Sequence, residues 1–185
     1  GLIMALKRHA PDGQAHLWIP TAEVTRSPGH PFYQALNRIL AKHHFDRCAE
    51  DRCAPYYKEG GRPSIEPGVY FRMLFIGYFE GLGSQRGIAW RCADSLSLRE
   101  FLGLALHEDS PDHSTLSITR RRLSPEVFAE VFQYVLKIAA EHGYQGWLVV
   151  EAEQDPAIAP SYAYAKKGYQ TLRRIVDRLD AEGSR

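Results

Sequence analysis

Residues 61–123 read GRPSIEPGVYFRMLFIGYFEGLGSQRGIAWRCADSLSLREFLGLALHEDSPDHSTLSITRRRL, and this stretch decides the fold. Apolar residues recur in it at helical spacing in four short segments. The predicted helices begin near Ser64, at Ser84, at Ser97, and at Ser114 or Thr115. Serine and threonine are favoured helix caps, and glycine commonly ends a helix, as Gly103 does for the third segment. The stretch therefore predicts a run of helices joined by tight turns.

The fourth helix is polar at its start and basic at its end. It follows the turn EDSPDH at residues 108–113 and finishes in Arg120, Arg121 and Arg122. A short helix of this kind is typical of a recognition helix, whose first residues reach base edges while arginines hold phosphates or guanine. The alternative is a solvated helix end whose positive charges complement the helix dipole. The residue chemistry alone leaves both interpretations open.

The candidate DNA-binding residues lie on the second and fourth helices. The predicted contacts are Arg120, Arg121 and Arg122 with phosphate or bases, Thr115, Ser117 and Thr119 as polar readers of bases, and Arg86 and Arg91 as backbone anchors.

Five blocks of this region carry a resemblance to a known family. They are residues 61–64 (GRPS), 67–78 (PGVYFRMLFIGY), 87–91 (GIAWR), 98–104 (LREFLGL) and 111–117 (PDHSTLS). In order and spacing they resemble the N-terminal domain of bacterial insertion-sequence transposases of the DDE type. The similarity extends over about residues 32–143. It implies a region that binds the terminal repeats of the element and helps to assemble the transposase, without the cleavage chemistry.

Composition limits the kind of surface that could bind DNA. The chain has 185 residues, 44% of them hydrophobic, and a formal net charge of only +1. A buried core is expected, and any basic surface must be local. No apolar run reaches the length of a membrane span and nothing resembles a secretory signal, so we expect a cytoplasmic protein without membrane contact. Double-stranded DNA is the predicted partner, and no cofactor is predicted.

Three cysteines raise the question of a metal site. Cys48 and Cys53 follow His43 and His44, but this spacing is not that of the usual zinc pairs. Free thiols in a reducing compartment are the favoured interpretation, with Cys92 on an apolar helix face. No metal ligand is predicted here.

The segments around the central stretch differ in character. Residues 1–30 are predicted to be irregular, residues 31–45 helical, and residues 47–62 a loop. Ser124 and Pro125 then start a longer helix that is predicted to end at Gly143. Packing of this helix on the preceding ones is favoured, and a homodimer through its apolar stripe is the alternative.

The chain changes character at Gly143. Residues 147–151 (WLVVE) predict a short buried strand, and residues 162–179 predict an amphipathic helix. Together, residues 143–156 (GYQGWLVVEAEQDP) and 164–169 (YAKKGY) resemble the C-terminal end of inosose dehydratases, metal-dependent TIM barrels akin to sugar isomerases. The resemblance implies that Glu151 corresponds to a metal ligand. One glutamate without the other ligands cannot hold a catalytic metal, so the tail is expected to be inert.

The predicted fold class is mainly α. A helix-turn-helix-like DNA-binding domain is expected at residues 31–143, with a short strand–helix appendage at residues 144–185. We expect no catalytic DDE domain and no enzymatic activity in this chain, hence no catalytic residues. The alternatives are a fragment of a dehydratase barrel or a helical protein-interaction module.

Overall fold

The computed structural model describes residues 29–58, 60, 64–142 and 160–183, and it is mainly helical. The helices are α1 (Pro31–Lys42), α2 (Phe45–Cys53), α3 (Pro67–Phe79), α4 (Gln85–Ala93), α5 (Leu96–Leu102), α6 (His113–Arg122), α7 (Pro125–Glu141) and α8 (Ser161–Gly183), with a 3₁₀ turn at Ala54–Tyr56. The mainly α prediction is confirmed. The predicted strand at residues 147–151 and the predicted irregular residues 1–28 lie outside the described residues.

α3 is the centre of the core. It packs against α2, α4 and α5, because apolar side chains cover nearly all of its sides. Tyr70, Met73 and Ile76 are fully buried, and each large apolar side chain removed from water stabilises the fold by roughly 1.5–3 kcal/mol. The other buried members of the core cluster include Tyr33, Leu40, Phe45, Ala49, Cys53, Ile88, Cys92, Leu98, Phe101, Leu116, Leu123, Val127 and Val131.

The helix boundaries follow local capping chemistry. The Ser84 hydroxyl accepts the Gly87 N–H at 3.0 Å, which confirms the predicted start of α4. α5 is capped by Ser95 rather than by Ser97, since the Ser95 hydroxyl accepts the Leu98 N–H at 3.3 Å. Gly103 ends α5 with a φ of 77°, a conformation that glycine adopts without strain. α3 begins at Pro67 and not near Ser64.

A second helix replaces the first part of the predicted loop at residues 47–62. α2 starts at Phe45, after His44 turns the chain with a φ of 52°. Phe45, Ala49 and Cys53 are completely buried and face the core from one side of this helix. The pattern was missed because α2 is rich in charged residues and buries cysteine and alanine where a core helix more often has leucine.

An arginine fixes α3 to the first two helices. Arg72 is only 8% exposed, and its guanidinium pairs with the Asp46 carboxylate. It also donates to the Asn37 side-chain oxygen at 3.0 Å and to the Gly68 carbonyl at 3.2 Å. The guanidinium carbon lies 5.7 Å from the ring centre of Phe45. One buried cation therefore links α1, α2 and α3.

The two C-terminal helices differ in how they are buried. Val127 and Val131 of α7 belong to the core cluster, and the Tyr134 hydroxyl donates to the His43 carbonyl. The prediction that this helix packs within the chain is confirmed. α8 confirms the helix predicted at residues 162–179. Its one described buried side chain, Ile175, lies outside the core cluster.

Candidate nucleic-acid interface

α6 begins in a turn that Asp112 caps. The Asp112 carboxylate accepts the backbone N–H of Thr115 at 2.7 Å and the hydroxyl of Ser114 at 2.8 Å. The Thr115 N–H first, and then the Ser114 hydroxyl, lower the pKa of Asp112 to about 2. The cap thus lies before the predicted Ser114 or Thr115, and it fixes the first turn of the helix.

One side of α6 is buried in the protein, so the opposite side of this helix faces solvent. Leu116 is fully buried, and Thr119, three residues later, is only 1% exposed. Leu123, just after the helix, is buried in the same cluster. Thr119, predicted as a polar reader of bases, therefore lies on the buried side of α6 and not on its solvent-exposed side. The opposite side of the helix is exposed to solvent.

α4 holds the start of α6 in place. The Ser117 hydroxyl bonds the carboxamide oxygen of Gln85 and lies 2.9 Å from the His113 carbonyl. An Arg86 guanidinium nitrogen lies 3.5 Å from the His113 ring nitrogen Nε2. The structure therefore brings Arg86, one of the two predicted backbone anchors, close to the first turn of α6.

Two of the predicted arginines are engaged within the protein. Arg91 pairs with Glu80 at 2.6 Å between guanidinium Nε and carboxylate oxygen. Arg122 donates to the Ser64 hydroxyl at 2.9 Å, and its guanidinium carbon lies 4.7 Å from the Tyr57 ring centre. Binding to DNA through either side chain would compete with these interactions.

Arg120 and Arg121 are the exposed cations of α6. Within the described part of the chain neither makes a hydrogen bond or an ion pair. Burial raises the pKa of the Tyr70 phenol to about 12, and the positive charge of the nearby Arg120 opposes this shift. No acidic residue occurs between His113 and Arg122, so the exposed side of α6 is locally basic. Among the residues that the structure describes, these charges can attract a phosphate without first breaking a hydrogen bond or an ion pair.

Ile118 is an exposed residue that the sequence interpretation missed. It is 48% exposed, on the same side of α6 as Ser114 and Arg121. The available signal was its spacing, because Leu116, Thr119 and Leu123 define the inner side and Ile118 falls outside that series. An aliphatic side chain therefore lies among the polar and basic residues of this surface.

No metal site appears in the described ranges, where no three His, Cys, Asp or Glu residues converge. Cys48, Cys53 and Cys92 are free and buried. Burial raises the pKa of Cys53 to about 11 and that of Cys92 to about 12. Both thiols are thus kept protonated, whereas metal ligation needs the thiolate. Glu151, the glutamate of the barrel resemblance, lies outside the described residues.

Among residues 29–58, 60, 64–142 and 160–183, no helix has the length and apolar character needed to cross a membrane.

Curated proteins match the chain over a short segment. Inosose dehydratase from Clostridium botulinum (strain Eklund 17B / Type B) is 52% identical over 42 residues, and that from Yersinia enterocolitica is 55% identical over 42 residues. The rhizopine catabolism protein MocC of Rhizobium meliloti is 52% identical over 44 residues. These segments cover 23–24% of this chain and only 14% of each relative. They confirm the predicted resemblance to inosose dehydratase.

No solved structure matches the chain. The model of the transposase domain family DUF772 matches residues 21–122, which is more than half of the 185 residues and includes α1 to α6. The resemblance to transposases that the five sequence blocks carry is therefore confirmed, and the chain belongs to the transposase domain family DUF772.

Proposed function

We propose that the helical unit of residues 31–142 binds duplex DNA through the exposed side of α6 and recognises the terminal repeats of a transposable element. The observation that carries this proposal is the state of Arg120 and Arg121. Both are exposed cations without a hydrogen-bonding or ionic partner in the described residues. Arg121 lies on the outer side of α6, and Arg120 lies at the edge of the side that Leu116 and Thr119 bury. Membership of the transposase domain family supports a transposase-related role.

The proposed arrangement is helix-turn-helix-like, with α6 as the recognition helix and α4 as its support. In such motifs the first turns of the recognition helix contact base edges, while other residues hold the backbone. Thr115 and Ser117 are the remaining polar readers, although Ser117 already bonds Gln85. Arg86, beside His113, is suited to a phosphate on the flank. The resemblance to bacterial transposases supports a location in the cytoplasm, where bacterial DNA lies.

Arg91 and Arg122 are expected to contribute less to DNA binding than Arg120 and Arg121. Glu80 and Ser64 already hold these two guanidiniums, so direct DNA contact would require exchange of partners. Such an exchange recovers less free energy than binding by an unpaired arginine, because the internal ion pair or hydrogen bond must first break. The main contribution to affinity is therefore assigned to Arg120 and Arg121.

The test is a titration of terminal-repeat DNA with the wild-type chain and with Arg120→Ala/Arg121→Ala. We expect affinity to fall by about 1–3 kcal/mol for each arginine that no longer binds a base or a phosphate. The matched control is Arg38→Ala/Arg47→Ala, which removes the same charge from exposed positions on α1 and α2. Equal reductions in affinity for both variants would show that only net charge matters and would contradict a specific role for α6.

Two other functions are less well supported. The similarity to inosose dehydratases covers 14% of those enzymes, which is too little to carry their activity over. A homodimer through α7 would use its exposed side, where Phe132 lies, because Val127 and Val131 are already buried within the chain. Sedimentation of the free protein and of its DNA complex would show whether such a dimer forms.

A further inference from the structure

Ile118 lies on the outer side of α6, where the fold gives no reason for an aliphatic residue. Ser114 and Arg121, one turn away in either direction, are exposed on the same side. The inner side is occupied by Leu116 and Thr119, which are buried, while Ile118 is 48% exposed. A β-branched residue is also a weaker helix former than lysine, glutamine or alanine at an exposed position. Neither packing nor helix formation therefore favours isoleucine here.

The major groove offers a chemical partner for such a side chain. Base edges there present hydrogen-bond donors and acceptors, and thymine adds the C5-methyl group, which is recognised by apolar contact. We propose that Ile118 is a specificity-determining residue that contacts the C5-methyl of one thymine in the target duplex. This inference rests on the proposed function, since it requires that α6 enters the major groove.

The neighbouring residues explain why the contact would be made by Ile118. The Ser114 hydroxyl is donated to Asp112, so its hydrogen is not free for a base acceptor. Arg121 has a long charged side chain suited to phosphate or guanine. Ile118 lies between them on the helix and carries the apolar surface that a methyl group needs. Specificity for thymine would then be set from the middle of the exposed side.

Single exposed apolar residues are common on protein surfaces, so the test must separate a base contact from incidental exposure. The full chain is used to select preferred duplexes from a random double-stranded pool. Each thymine of the best duplex is then replaced singly by deoxyuridine, which lacks only the methyl group. At one position we expect wild-type affinity to fall about fourfold, the effect of burying one methyl-sized group.

Ile118→Ala should bind the thymine duplex more weakly than wild type and should be insensitive to deoxyuridine at that position. Ile118→Val should retain part of the loss of affinity that deoxyuridine causes in the wild type. The control is Leu106→Ala, which shortens an aliphatic side chain that is 50% exposed in the loop before α6 and should leave the deoxyuridine effect unchanged. Circular dichroism and thermal unfolding check that each variant is folded.

The outcomes separate the inference from the function on which it rests. If Ile118→Ala keeps wild-type affinity and the same deoxyuridine sensitivity, the inference is overturned while DNA binding stands. If the selection yields no sequence preference, α6 binds phosphates only and the inference again fails. If the wild-type chain binds no duplex at all, the proposed function fails as well.

Discussion

α3 and α6 both carry arginine, but the two helices use it in opposite ways. Arg72 of α3 is buried and satisfied by Asp46, Asn37 and the Gly68 carbonyl. Arg121 of α6 is exposed and has no hydrogen-bonding or ionic partner in the described residues. The burial of the rest of each helix explains the difference, since α3 is enclosed on most sides and α6 only through Leu116 and Thr119. Arg72 of α3 thus stabilises the fold, and Arg121 of α6 is available to a ligand.

The largest expected loss of folding stability comes from Asp46→Ala, which removes the partner of Arg72 on α3. This change leaves the Arg72 guanidinium buried without its counter-charge, and breaking a buried pair costs about 3–5 kcal/mol. Since the Asp46 side chain is 49% exposed, water can partly replace the carboxylate, and we expect a loss of about 2–3 kcal/mol in urea unfolding. Arg121→Ala should change stability by less than about 0.5 kcal/mol. Similar losses for both variants would contradict the comparison.

A smaller loss of stability is expected when a methyl group is added at Gly68, beside the ion pair of Arg72 and Asp46. A Cβ on Gly68 would lie 2.1 Å from an Asp46 carboxylate oxygen, so Gly68→Ala must displace the ion pair. We expect destabilisation of about 1–3 kcal/mol, as for other overpacked sites. Gly83→Ala is the matched control, because a Cβ there has nothing within 4 Å. Thermal unfolding of the two variants gives the difference, and equal transitions would remove the packing argument.

The third prediction concerns Asp112, the residue that caps the start of α6. Asp112→Ala removes the acceptor for the Thr115 N–H, and we expect a slight loss of stability together with weaker DNA binding, because the first turn of α6 loosens. The folded-state pKa of Asp112 is lowered from 3.8 to about 2, so its contribution is present above pH 3.8 and is lost as the pH falls toward 2.

Asp112→Asn separates the cap from its charge. Asparagine is also a good helix cap, so this variant should keep DNA binding at neutral pH and lose the acid dependence of stability between pH 3.8 and 2. Unfolding curves of wild type and both variants across that range provide the measurement. An Asp112→Ala protein with unchanged DNA affinity would mean that the first turn of α6 does not contact DNA.

The smallest change in stability and in DNA affinity is expected when residues 144–185 are deleted. The core cluster that contains α3 and supports α6 consists of residues between Tyr33 and Val131, and Ile175 of α8 is not part of it. The thermal transition and the DNA affinity should therefore stay nearly unchanged. This experiment also tests the predicted domain boundary near residue 143. An unfolded or insoluble product would show that the C-terminal segment belongs to one common core.

Local sequence signals predicted much of this fold. Ser84 and Gly103 marked helix ends because capping depends on nearby backbone groups, and the EDSPDH turn marked the start of α6. The spacing of Thr119 from Leu116 could have predicted that Thr119 is buried. In contrast, α2 carried a weak apolar signal, since much of its surface is charged and its buried positions include two cysteines.

The role of each arginine could not be predicted in this way. Arg72 is buried because Asp46, 26 residues earlier, reaches it in the folded chain. Arg91 and Arg122 are engaged by Glu80 and Ser64, which only the packing of the helices brings near. In the sequence, Arg120, Arg121 and Arg122 look alike. Tertiary contacts alone distinguish the one that is held from the two that are exposed.

The most direct test of the account is the salt dependence of DNA binding by the wild-type chain and by Arg120→Ala/Arg121→Ala. For duplex DNA, the logarithm of the association constant falls with the logarithm of salt concentration by about 0.9 for each phosphate neutralised. If Arg120 and Arg121 each hold one phosphate, the slope should become shallower by about 1.8 in the double variant, with a lower affinity at every salt concentration. An unchanged slope together with an unchanged affinity, in a variant that circular dichroism shows to be folded, would contradict the claim that α6 binds DNA.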